Sequence, residues 1–154
     1  MKPAICLFVF ITAFIACQQP VKETAATTLP LQGTWKLVTG ILIEKGDSAV
    51  TDYTTGKSFI KVLNQSHFAF VGHDLGRGKD STAFYTSGAG TYNLQDSNYT
   101  EHLEFCNDRG WEGNDFHFTI TIHNDTLVQQ GIEKIDSLGI DRINIEKYVR
   151  VKQG

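Results

Sequence analysis

The chain has 154 residues, with 14 Lys and Arg against 17 Asp and Glu, for a net charge of −3. It has no basic block, so the clustered Lys and Arg that nucleic-acid binding needs are missing and that function is excluded. Of its three cysteines, Cys6 and Cys17 fall in the N-terminal segment. The rest of the chain holds only Cys106 and must stand on its core rather than on an internal disulfide.

Met1-Lys2-Pro3 precedes an apolar run over 4–16 that only Thr12 interrupts. That run is too short for a transmembrane helix, which needs about 20 apolar residues. A positive start followed by a short apolar stretch is the pattern of a secretory signal peptide. The run ends Ala13-Phe14-Ile15-Ala16-Cys17, which resembles the lipobox of bacterial lipoproteins, with Phe14 where that family usually carries Leu. The resemblance implies cleavage before Cys17 and diacylglycerol on its sulfur. Losing Lys2 with the leader leaves 13 basic against 17 acidic side chains, a net charge of −4.

Residues 17–31 hold two of the chain's three prolines and three threonines without apolar periodicity, and read as a lipidated flexible tether. Gln18-Gln19 is not the Asp that often retains lipoproteins at the inner membrane. The expected location is therefore the outer membrane, facing the periplasm or the cell surface.

Residues 32–152 suit one domain with one core. Nearly every segment alternates with period two. In 116–123, Phe116, Phe118, Ile120 and Ile122 point one way and His117, Thr119, Thr121 and His123 the other. Further strands are expected over 33–43, 58–63, 67–71, 82–86, 90–95, 99–105, 127–131 and 142–151. Asn64-Gln65-Ser66, Asp96-Ser97-Asn98 and Asn124-Asp125 supply the turn signals, and Ser87-Gly88-Ala89 a bulge or break. A short helix is expected in 44–53 or 133–138. Eight or nine strands at hairpin spacing predict an all-β, antiparallel up-and-down barrel of about eight strands, with a packed interior or a cavity for one small ligand. A two-layer sandwich is the alternative.

Gly33-Thr34-Trp35, together with Arg150 at the end of Glu146-Lys147-Tyr148-Val149-Arg150, resembles the Gly-x-Trp signature and terminal Arg of the lipocalin and calycin superfamily. The resemblance implies that Trp35 closes one end of the barrel and that Arg150 packs across it, a cation–π contact. The middle of the chain is similar to small lipocalin-like exported proteins with a DUF4488-like domain of unassigned function. Lys61 with His67-Phe68, 88–92, 99–101, 125–127 with 129–131, and 146–150 carry that likeness. It implies a fold and a possible cavity but no activity.

Gly56-Lys57-Ser58 is no phosphate-binding loop, because Thr51 stands where the first Gly belongs and a strand follows. His117 and His123 lie about 20 Å apart on an extended strand, too far for one ion. No metal, cofactor or catalytic residue is expected. Glu146, Tyr148 and Arg150 project together, and Glu101 shares a face with Tyr99, Leu103 and Phe105. A buried carboxylate needs a partner, and Arg150, Tyr92 and Gln129 are the candidates. The expected lining is Trp35, Phe70, Tyr92, Glu101, Gln129, Glu146, Tyr148 and Arg150, around a small, mostly apolar ligand. The runner-up is an envelope structural or interaction lipoprotein with a filled core and functional loops at 72–81, 106–115 and 132–141. An enzyme at the barrel mouth ranks third.

Overall fold

The computed structural model describes residues 29–79 and 81–152. The leader, Cys17 and most of the tether lie outside the described residues. The period-two pattern becomes nine strands: β1 (Gly33–Glu44), β2 (Asp47–Asp52), β3 (Lys57–Leu63), β4 (His67–Asp74), β5 (Tyr85–Gln95), β6 (Asn98–Cys106), β7 (Asp115–His123), β8 (Thr126–Ile135) and β9 (Ile140–Arg150). Each pairs antiparallel with its neighbours, and β9 returns to pair with β1 from Trp35↔Arg150 to Ile43↔Ile143. The other edge of β1 is divided. Its first residues pair with β3, and Thr39 to Glu44 pair with β2. The result is a closed eight-stranded ring of β1 and β3–β9, with β2 as an added strand. First strand meets last, so a lipocalin-like barrel and not a two-layer sandwich is present.

The turns follow from local chemistry. Asn64 Oδ1 accepts from the backbone N–H of Ser66 and of His67, at 2.9 and 2.8 Å, which fixes the β3–β4 turn. Asp96 and Asn124 take positive φ in the β5–β6 and β7–β8 turns, a conformation that Asn and Asp tolerate best after Gly. Asp74 organises the longer β4–β5 connection. Its two carboxylate oxygens accept from Gly78 N and Phe84 N at 2.9 and 3.1 Å, and these bonds hold its carboxyl below the usual range.

Four local expectations are corrected. Residues 44–53 form no helix: Lys45-Gly46, both at positive φ, turn the chain back as the β1–β2 hairpin. Residues 133–138 continue β8 to Ile135 and end in a 3-10 turn at Asp136–Leu138, so the loop expected over 132–141 is short. The strand expected to begin at 82 begins at Tyr85. The separate strands expected over 82–86 and 90–95 are one, and of the bulge or break expected at 87–89 the bulge is present, between Ala89 and Gly90.

The closed end of the barrel explains the Gly-x-Trp spacing. Trp35 is fully buried. The Arg150 guanidinium lies 4.0 Å from its ring centroid and donates to the carbonyls of Gln32 and Pro30. Trp35 Nε1 donates to the Leu31 carbonyl at 2.8 Å. Leu31 is itself buried and Leu29 packs against the core, so the end of the expected tether belongs to the folded domain. Gly33 has φ +132°, and a Cβ there would stand 2.8 Å from Arg150 Nη1. A side chain at 33 would therefore both strain the backbone and displace the guanidinium.

Arg150→Ala removes the cation–π contact and two charged hydrogen bonds, together about 2–4 kcal/mol. Thermal unfolding followed by circular dichroism should shift down by about 10 °C. An unchanged melting temperature would contradict this account of the closed end.

Candidate ligand cavity

Inward positions of the strands carry charge as well as apolar groups. On β3 the inward set is Phe59, Lys61 and Leu63, all buried. The Lys61 ammonium pairs with Glu101 of β6 and donates to Gln129 Oε1 of β8 at 2.9 Å. It also lies 5.3, 5.4 and 5.9 Å from the ring centroids of Phe68, Tyr99 and Tyr148. A buried ammonium is thus held by one carboxylate, one amide and three aromatic faces. Burial, then the neighbouring carboxylates, push the phenols of Tyr99 and Tyr148 far above the usual range, so both stay protonated.

Between this cluster and the end opposite Trp35 lies a cavity of about 440 Å³. That volume is within the range typical of small-molecule sites. Exposed Tyr85, Asn107 and Asp108 mark its mouth. Apolar walls come from Leu42, Phe59, Phe70, Phe84, Leu103 and Phe116. Phe59 and Phe70 stack on each other, centroids 5.6 Å apart. Each faces a glycine on the next strand, Phe59↔Gly72 and Phe70↔Gly88. A Cβ on either glycine would fall 2.5 Å from the ring. The rings therefore lie against the wall and leave the barrel axis open.

Two further polar groups line the cavity. Glu133 of β8 accepts from Arg142 Nε and Asn144 Nδ2 of β9, both at 2.7 Å. The Arg142 guanidinium also stacks 5.2 Å over Trp111, which a 3-10 turn capped by Asp108 presents. Glu146 stands in register between Gly40 of β1 and Gln129 of β8. Its Oε2 accepts from the Tyr148 hydroxyl at 2.8 Å. Among the described residues no Lys or Arg forms an ion pair with it. Burial raises its carboxyl above the ordinary value. Glu133 and Glu101 add to the rise, while Lys61 and the Tyr148 hydrogen bond oppose it.

Of the eight residues expected from sequence, Phe70, Glu101, Gln129, Glu146 and Tyr148 line the cavity. Trp35, Tyr92 and Arg150 do not. Trp35 and Arg150 close the far end, and the Tyr92 hydroxyl donates to the Asn64 carbonyl at the β3–β4 turn. The partner of Glu101 is also corrected. Arg150 is engaged at the closed end and Tyr92 at the turn, so neither reaches it. Lys61 does, and Gln129 joins through Lys61. Lys61, Glu133, Arg142 and Asn144 were missed, although the alternation Phe59-Lys61-Leu63 already places Lys61 among core residues. Cys106 lines the cavity near the mouth, its thiol pushed up mainly by burial. All five histidines are exposed, and none lines the cavity. The arrangement can orient a ligand by charge and hydrogen bonds.

The Glu146 carboxyl titrates above its ordinary value in the folded chain, chiefly because it is buried. The folded state then holds the proton more tightly than the unfolded chain, so stability falls as pH rises from that value through the folded one. Glu146→Gln removes this loss and keeps an acceptor for Tyr148. The variant should match the parent below about pH 4 and melt several degrees higher at pH 8, by differential scanning calorimetry. A gap that does not change with pH would contradict the assignment.

No protein-family model and no curated protein matches this sequence, so the geometry of the barrel interior carries the functional argument.

Proposed function

We propose that this chain is an exported lipoprotein, anchored at the outer membrane through Cys17, whose barrel carries a small, mostly apolar ligand without catalysing its conversion. The observation behind the ligand is the cavity of about 440 Å³ with aromatic walls and a few convergent polar groups, the usual composition of small-molecule sites. The anchor rests on the apolar leader, the lipobox-like Ala13 to Cys17 and the Gln18-Gln19 that follows. The hollow upper half favours carriage over a filled interior.

A second reading, an envelope interaction protein, draws on the outer wall. Val62, Ala69, Ala89 and Phe105 fall in one cross-strand row, and Phe105 is 65% exposed.

The test uses the chain from residue 17 onward, made without export so that no lipid is attached. A neutral naphthalene fluorophore such as N-phenyl-1-naphthylamine should brighten with one-to-one stoichiometry and quench Trp111. Leu42→Trp fills the upper cavity and should weaken binding at least about tenfold while the melting temperature holds, since Leu42 is only half-buried. Absence of saturable brightening, or equal binding by the variant, would remove the carrier reading. In the exporting host, labelled palmitate should enter the parent chain and not Cys17→Ser; equal labelling would remove the anchor.

A further inference from the structure

The barrel interior already holds one ammonium, that of Lys61, and it presents a second buried carboxylate, Glu146, that no Lys or Arg of the described residues pairs with. We infer that the cavity takes a protonated amine borne on an apolar body, with Glu146 as the counter-ion. This rests on the carrier reading above and names the chemistry of its ligand.

The charges that line the cavity carry the argument. Lys61 is spent on Glu101 and Arg142 on Glu133. Glu146 is left over, and Asp108 at the mouth adds a further negative charge. A cation entering the cavity neutralises this excess. An anion increases it, in a space where low polarity strengthens both effects.

The surroundings of Glu146 share elements with those that hold Lys61: Gln129 stands in register beside it and the Tyr148 hydroxyl donates to it. The lower ammonium has a carboxylate, a side-chain amide and three rings. Near Glu146, the Tyr53 ring packs edge-on to Phe59 at 5.9 Å between centroids, and Phe59 lies 6.5 Å from Tyr148. A Cβ at Gly40, the β1 residue in register with Glu146, would stand 3.2 Å from the Tyr53 ring. The missing side chain at 40 therefore lets the edge of the Tyr53 ring reach the β1 position in register with Glu146. Rings beside a carboxylate are the usual setting for organic ammonium recognition. At the rim the same Tyr53, with Phe84, already attracts the Lys57 ammonium, 5.8 and 5.3 Å from their centroids.

The apolar walls of Leu42, Phe70, Phe84 and Leu103 ask for a body attached to the charge. A bare metal ion does not fit, since it needs several oxygen ligands and, among the described residues, Glu146 is the only lining carboxylate inside the mouth without a basic partner.

Isothermal titration calorimetry at pH 7 with three matched ligands tests the inference on the same chain from residue 17. The ligands are 2-(2-naphthyl)ethylammonium, 2-(2-naphthyl)ethanol and 2-naphthylacetate. The ammonium should bind at least about tenfold tighter than the alcohol, and the acetate weaker than both. Glu146→Gln should bring the ammonium to within about threefold of the alcohol. If that variant does not fold, the order of the three ligands on the parent chain decides. An alcohol that binds as tightly as the ammonium, or an acetate that binds best through Arg142, overturns the inference and leaves the carrier reading intact. If none of the three binds and the neutral fluorophore also fails, the carrier reading falls with it.

Discussion

The interior is organised around the Lys61–Glu101 ion pair. Taking two charges out of water costs several kcal/mol per ion, and the pair survives only where further partners satisfy it. Here Gln129 accepts from the ammonium and the rings of Phe68, Tyr99 and Tyr148 surround it. These partners come from β3, β4, β6, β8 and β9, so the pair fixes the relative register of five of the eight ring strands. A slip of one residue on β3 would send Lys61 to the solvent face and leave Glu101 buried alone.

The pair also divides the barrel. On one side, Trp35, Leu37, Phe68, Ile120 and Leu127 fill the space to the closed end, where Arg150 covers the indole. On the other, Gly72 and Gly88 let Phe59 and Phe70 lie flat against the wall, and Gly40 admits the edge of the Tyr53 ring at the position in register with Glu146. The same fold is therefore solid at one end and hollow at the other. The hollow follows from the glycines at 72 and 88.

Much of the fold was legible because the barrel strands are half-buried and alternate cleanly. Phe116 to Ile122 and the closing pair Trp35 and Arg150 show this best. The added strand β2 was not legible. Its residues are mostly exposed, so no apolar face marks it, and only the positive-φ turn at Lys45-Gly46 makes it a hairpin. In the cavity, Glu101 and Glu146 were found because strand alternation places them inward. Lys61 was overlooked because its character as a charged residue outweighed its position between Phe59 and Leu63. Tyr92 was misplaced because sequence gives the face of a residue but not its height along the barrel. That height is set by hairpin register, here by the turn that Asn64 fixes.

The most direct test of the buried ion pair is a double-mutant cycle of Lys61→Met and Glu101→Gln, read from urea unfolding. Each single change strands a buried polar partner and should cost about 3–5 kcal/mol, while the double change should cost far less than their sum. Single variants within about 1 kcal/mol of the parent, with additive effects, would be the signature of an exposed pair and would contradict the account.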